Sequence, residues 1–382
     1  MASGAIMTLV MSDHKEQDDM YHAEAFEMIK TDMENDETKD TYEGRFSRLG
    51  DNIPFMAFQL KSNVMPPPRG FPFTCIQSIT IEASSSQHPI IEISGKQLWC
   101  LYQTYPDAQR ASIETAAKYG IILIKDIIPQ ISMVSLPFMD LRWKIKLDQN
   151  EYTRTLSSFK SSTAKWVADL VFNGIDDLGQ LACLYGGLER GYLTQYTPYV
   201  FMNPEIRDKF ARNMEGTLHY RHHFQDWVGN APVTINCRFR NALQFNFIIE
   251  RPDHPSTFYT PEDNPVKSIR LASNGIDIFR GSHDELYIID KLIHNIPIPT
   301  HVAHYTYTLQ TFENFKRQIG HVTDFNSVPI AGKNTLNMNH PNVDFSVQVE
   351  LSTHIDPNSR IHMWILGVGI MRYSVGMTNI FI

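Results

Sequence analysis

The chain is poor in cysteine, poor in long apolar runs, and without the short motifs that most enzymes and secreted proteins carry. Its 382 residues include four cysteines, Cys75, Cys100, Cys183 and Cys237, none closely paired. That spacing excludes a zinc ribbon, a Cys-x-x-Cys redox pair and a disulfide scaffold. No Asn-x-Ser/Thr acceptor occurs, which removes one mark of a secreted glycoprotein. A membrane-spanning helix needs about 20 apolar residues, but the uncharged apolar run near the carboxyl end, Met363 to Met371, is broken by Gly367 and Gly369 and closed by Arg372. Met1 to Met11 lacks the charged start of a signal peptide. The expectation is a soluble protein made in a reducing, intracellular compartment, without a membrane anchor.

Catalytic signatures are missing too. There is no Gly-x-Ser-x-Gly elbow, no His-Glu-x-x-His helix and no EF-hand loop. Gly332-Lys333-Asn334-Thr335 resembles the end of a phosphate-binding loop, but the upstream glycine position is Ser327. Gly367-Val368-Gly369 lies in an apolar strand pattern with no third glycine, where close packing or strand bending explains it. These absences shift weight toward a structural or binding role, and the chain is read as a non-enzyme.

Charge is unevenly placed. The net charge is −8, and residues 11–40 hold eleven of the 42 acidic side chains against three of the 34 basic ones. The body is therefore neutral. Residues 1–45 read as an acidic, solvated arm and 46–382 as one folded body. Within the arm, Met20, Ala23, Phe26 and Ile29 form a weak stripe that would suit a short helix over 13–30.

What is present is strand pattern. Val343, Phe345, Val347, Val349, Leu351 and Ile355 alternate with Asp344, Ser346, Gln348, Glu350, Ser352 and His354, the period of a strand buried on one side. A turn at 356–359 leads into a second apolar run from Ile361. Further strands are expected over 73–83, 90–93, 97–102, 121–136, 141–147, 233–239, 244–250, 285–289 and 302–310. Asp107 to Tyr119, with Pro106 ahead and Gly120 behind, is the best helix. Long loops are expected over 148–162, 185–204, 251–281 and 319–341.

Two constellations could carry chemistry. His219, His222, His223 and Asp226 are the densest set of potential ligands, able in principle to hold a transition metal or a divalent cation at a subunit contact; a polar loop is the preferred reading, since the spacing matches no specific ligand signature, and no cofactor is required. Arg142, Lys144 and Lys146 project from one face of a strand, and Arg238 and Arg240 flank Phe239. Such residues suit phosphate neutralisation and base stacking, or an ordinary solvated face. The fifteen histidines make a pH-sensitive contact possible as a group property.

The arm, the strand-helix-strand stretch from Phe73 to Leu147, the long loops and the Val343 to Leu351 strand together resemble a small densovirus capsid protein of the parvovirus family. The resemblance implies an all-β, eight-stranded viral jelly roll with one flanking helix. It further implies self-assembly into a small T=1 icosahedral shell around single-stranded DNA, assembled in the host nucleus and taking part in host-cell entry through a receptor. On it, Arg142, Lys144, Lys146, Arg238 and Arg240 would face packaged DNA, and 148–162 would line a pore. The apolar tail would meet a neighbouring subunit through Trp364, Ile370, Arg372, Tyr373, Met377, Ile380, Phe381 and Ile382. The family's phospholipase motif is absent, since Asp18-Asp19-Met20-Tyr21 lacks its histidine. A jelly-roll coat or minor capsid protein of another virus, and a cupin-like enzyme with a metal on the 219–226 cluster, are the alternatives.

Overall fold

In a computed structural model of the chain, the residues described are 23–34, 41–46, 49–53, 56–60, 70–84, 89–118, 120–124, 131–133, 140–148, 192–202, 204, 207, 216–254, 256–319, 334–340, 342–374 and 377–381. The strands fall into four antiparallel sheets that pair into two sandwiches.

The first sandwich comprises β1 (Ala23–Glu34), β2 (Thr41–Arg45), β3 (Asn52–Ile53), β4 (Met56–Leu60), β5 (Ile76–Ala83), β6 (Ile91–Ile93), β7 (Ile121–Ile124), β8 (Ile131–Ser132), β9 (Leu141–Leu147) and β10 (Tyr192–Met202). One sheet runs β7-β4-β10, with β1 also on β10 and the two-residue β3 and β8 continuing from it; the other runs β2-β9-β5-β6. The second sandwich comprises β11 (Gly216–Val228), β12 (Val233–Thr234), β13 (Ala242–Glu250), β14 (Val266–Ser273), β15 (Ile276–Ser282), β16 (Tyr305–Thr308), β17 (Phe345–Leu351), β18 (Arg360–Ser374) and β19 (Met377–Phe381). Its sheets run β11-β18-β13-β16, with β19 on β18, and β12-β17-β14-β15.

Numbered along the chain without the short β3, β8 and β19, both sandwiches have the same pairing, 1-8-3-6 against 2-7-4-5. This is the strand order of a jelly roll, in which two Greek keys wrap around one core. The chain therefore holds two jelly rolls in tandem, where one flanked by a single helix was expected. Each has its own core, the first around Phe58, Phe73 and Trp143 and the second around Phe245, Phe247 and Ile365.

Several sequence expectations hold. Leu141–Leu147 is β9, with Leu141, Trp143, Ile145 and Leu147 buried. Phe345, Val347, Val349 and Leu351 are buried while Ser346, Gln348 and Glu350 are partly exposed. The helix α2 (Asp107–Lys118) lies where Pro106 and Gly120 bracket it.

Others do not. Residues 23–34 of the supposed arm form β1, which pairs with β10 from Ala23 to Glu34, and 41–45 form β2; the long ladder overrides the weak helical stripe. Residues 97–102 belong to the helix α1 (Gly95–Gln103), fixed by a reciprocal cap in which the Ser94 hydroxyl accepts from the Gln97 amide and the Gln97 side chain accepts from the Ser94 amide. Residues 285–289 are a π-helical turn running into α3 (Asp290–His294). The expected loops over 185–204 and 251–281 contain β10, β14 and β15. A register shift between Val266 and Ser268 breaks the alternation of β14 and hides it from a period-two reading. Of the expected pore segment, 148–162, all but Asp148 lies outside the described residues.

Candidate assembly surfaces and the seam between the sandwiches

The seam is built by the sheet that contains β13 and β18. On one face of β13, Phe245, Phe247 and Ile249 fill the second core. On its other face Ile248 joins the first core, together with Trp364, Phe258 and Val302. Burial on both faces is unusual for an antiparallel sheet and explains the nearly continuous apolar run of β13. Trp364, 2% exposed, stacks against Phe224 and lies parallel to the His304 ring at 5.7 Å. His304 is held by Asn246, 3.0 Å from its Nε2, and burial first, then the Lys291 charge, pushes its pKa well below the usual histidine range.

Polar contacts tie the rim of this seam to α1 and α2. The Trp99 indole donates to the Ser256 carbonyl at 3.2 Å. Lys96 Nζ lies 2.9 Å from Glu250 Oε2, His362 Nε2 lies 2.9 Å from the same oxygen, and the Ser256 amide donates to Oε1 at 2.8 Å. Burial raises the pKa of the Glu250 carboxyl, but the hydrogen bonds from His362, Ser256 and Lys96 outweigh it and hold the group down at about 2. A few residues on, Thr300 and His301 bind the two oxygens of Asp107 at 2.8 Å each, and His301 Nε2 lies 2.6 Å from the Gln103 carbonyl. Hydrogen bonds from Thr300 and His301 lower the Asp107 pKa.

The expected ligand cluster lies on β11, a strand and not a polar loop. Successive strand residues point to opposite faces, so His222 and His223 diverge. The His222 ring stacks near Phe224, the His223 ring meets the edge of Phe239, and Asp226 is ion-paired with Arg360. His219 pairs through its backbone with Gly369. Among the described residues, no three His, Cys, Asp or Glu side chains converge as a metal site would require. Burial lowers the pKa of His222 to about 4 and also depresses His223.

Of the basic candidates, Arg142 and Lys144 are exposed and Lys146 partly so, on the outer face of β9. Their cross-strand neighbours include Glu82 beside Arg142 and Glu43 beside Lys144, the latter pair at 2.8 Å. Arg142 also faces Arg45 on β2, so acidic and basic side chains are interspersed on this face. Arg238 and Arg240 are exposed on the other sandwich, between Cys237, Phe239 and Asn241, which point inward.

The tail folds back on its own chain. Trp364 packs into the first core at the seam, which corrects its assignment to a subunit contact. Val343 to Ile355 supplies the seventh strand of its jelly roll, and β18 is the eighth. Ile370, Arg372, Tyr373, Met377, Ile380 and Phe381 lie on the β18-β19 hairpin, where Ile370 faces Phe381 and Met371 faces Ile380 in register; Ile382 lies outside the described residues. Gly367 is a packing glycine, since a Cβ there would strike the Phe239 ring.

No protein-family model matches the sequence, and no curated protein does. Solved structures do match in shape. PBCV-1 VP54, fitted into a reconstruction of the virophage Sputnik, shares 11% identity over 95% of this chain and 98% of that one, with a TM-score of 0.65. The chain has the fold of viral capsid proteins. The Faustovirus major capsid protein shares that fold at 8% identity, with 93% and 91% coverage and a TM-score of 0.53. A Sputnik virophage structure does so at 8% identity, with 94% and 89% coverage and a TM-score of 0.51. Nearly the whole of each chain takes part, so the similarity spans both jelly rolls. Its value is in the fold, at identities this low.

Proposed function

We propose that the chain is a structural coat protein that assembles with copies of itself into the shell of a virion. The observation that carries this reading is the tandem jelly roll, which takes in strands from Ala23 to Phe381 and matches capsid proteins over 95% of the chain. Of the two capsid readings, a coat protein of another virus is the one that paired sandwiches favour. The resemblance to a densovirus subunit implied a single jelly roll, and the second jelly roll speaks against it. The enzymatic alternative placed a metal on the 219–226 cluster, and the divergence of His222 and His223 on β11 speaks against it.

Negative-stain microscopy and analytical ultracentrifugation of the full chain test the proposal. Uniform particles, or a defined capsomer that condenses into particles as salt, pH or divalent cation is varied, are expected. A protein that stays monomeric over all of these conditions would sink it.

A further inference from the structure

One face of β11 is polar where the inner face of a sandwich is normally apolar. Arg221, His223, Gln225 and Trp227 follow one another along that face, each half-buried, and Trp227 packs against the second core. Each of the four carries a buried polar atom without a hydrogen-bond partner: Nη1 of Arg221, Nε2 of His223, Oε1 of Gln225 and Nε1 of Trp227. Buried polar atoms of folded proteins nearly always have partners, so four in one row call for a physical cause.

Gln225 and Trp227 complement each other. The Gln225 amide donates through Nε2 to the Thr234 carbonyl at 2.9 Å, which leaves Oε1 as an acceptor beside the Trp227 indole donor, and a single water can bridge the two. Arg221 is a different case, because a guanidinium does not lose its charge in a protein. It lies over the Phe239 ring, 5.9 Å from the centroid. Phe239 in turn covers Gly367, the residue opposite Arg221 on β18, and the His223 ring meets the same phenyl ring at 6.4 Å. Arg221 and His223 therefore converge on one aromatic ring.

Among the described residues no carboxylate accompanies them. Asp226 is on the opposite face of β11 and is taken by Arg360. The ionisable neighbour whose charge acts on Arg221 is Cys237, and burial pushes that thiol up to about 12, so it is neutral at pH 7 and supplies no counter-charge. Arg238 and Arg240, exposed on the segment that carries Cys237 and Phe239, add further positive charge. A cation withdrawn from water is ordinarily paired; this one has no partner within the chain.

We infer that Arg221 and His223, backed by Phe239, form a binding site for a small free oxyanion of the phosphate or sulfate class. Same-face neighbours on a strand stand about 7 Å apart, and a charge-assisted hydrogen bond takes up about 2.8 Å on either side, so one tetrahedral oxyanion spans the gap with an oxygen for Arg221 Nη1 and another for His223 Nε2. Because both atoms are buried, a free ion reaches them where the phosphate of a polymer does not. The bound ion would tie β11, in one sheet, to the segment that follows β12, in the other, and so close this side of the second jelly roll.

Thermal unfolding of the full chain in phosphate and in chloride, at matched ionic strength, tests the site. Phosphate is expected to raise the wild-type midpoint by at least about 2 °C over chloride. Arg221→Met should lose most of that difference, and Arg238→Ser/Arg240→Ser should keep it. General salting effects of phosphate act on all three chains alike, so an equal response in all three, or a loss in the surface double variant instead of Arg221→Met, would overturn the inference. If Arg221→Met fails to fold, wild-type crystals grown with selenate, a sulfate analogue located by its anomalous scattering, decide the matter. Selenium between Arg221 and His223 is expected; selenium only elsewhere, as an adventitious ion, or none at all would sink the site.

Discussion

Lys96 of the first jelly roll and Glu250 of the second stand 2.9 Å apart, Nζ to Oε2, with the Glu250 side chain 5% exposed. The carboxylate is buried but the Lys96 side chain is 43% exposed, so the pair is half withdrawn from water and Lys96 can hydrate when Glu250 is removed. A hydrogen bond to a charged group contributes about 1.5–3 kcal/mol. Glu250→Ala, which removes the shared partner of Lys96 and His362, is expected to lower stability by an amount of that order in chemical denaturation. A loss below about 1 kcal/mol would mean that the pair behaves as a surface bridge.

Acid should act on the seam in two windows. His222 has a folded pKa of about 4 against 6.5 unfolded, so its contribution is complete above 6.5 and is lost as pH falls from 6.5 through about 4. Glu250, at about 2 folded against 4.5 unfolded, contributes fully above 4.5 and loses that contribution as pH falls toward about 2. For Glu250 the shift corresponds to a loss on the order of 3 kcal/mol. Midpoints of urea unfolding measured from pH 7 to 3 should fall continuously, and Glu250→Gln should flatten the part below pH 4.5. An unaltered acid limb in that variant would contradict the assignment.

Trp364→Ala should destabilise the isolated chain and not simply its assembly, since Trp364 packs between the two jelly rolls. Removal of a buried tryptophan costs about 3–5 kcal/mol. Thermal unfolding under conditions that keep the chain monomeric measures this directly, and an unchanged midpoint there with impaired assembly would return Trp364 to a subunit contact.

Gly367→Ala adds one methyl where the Phe239 ring already lies. Overpacking of this kind costs about 1–3 kcal/mol. The double variant Gly367→Ala/Phe239→Leu should recover part of the loss, because the smaller side chain vacates the space; additivity of the two changes would show that they do not meet.

Arg142→Ser and Lys144→Ser, made together, should change stability by less than about 1 kcal/mol. They should also leave the nucleic-acid content of purified particles, read by the ratio of absorbance at the nucleic-acid and protein maxima, unchanged, because Glu82 and Glu43 already compensate the positive charges across the strand. A marked fall in nucleic-acid content would make this face a genome contact.

One strand in each jelly roll was plainly legible in the sequence. The alternation of Phe345 to Leu351 and of Leu141 to Leu147 reports burial on one face, which is a local property of a strand. Residues 97–102 read as strand from their apolar content, and the local sign that this reading misses is Ser94 followed three residues later by Gln97. The 285–289 stretch, Glu-Leu-Tyr-Ile-Ile, has no such local sign. Leu286 and Tyr287 are buried while Ile288 and Ile289 are exposed, and a pattern rule assigns all four to the core.

The sequence by itself determined the class of the protein: β-rich, neutral in its body, without catalytic signatures, with an apolar end that had to be covered. Tertiary structure decided the number of jelly rolls, what covers that end, and where charge is buried. The reason is physical. One-sided burial leaves a period-two trace in neighbouring residues, whereas two-sided burial in β13, a register shift in β14 and pairing between strands as distant as β11 and β18 leave none. Lys96, Glu250 and His362 become one site only after both sandwiches have closed and α1 meets the ends of β13 and β18.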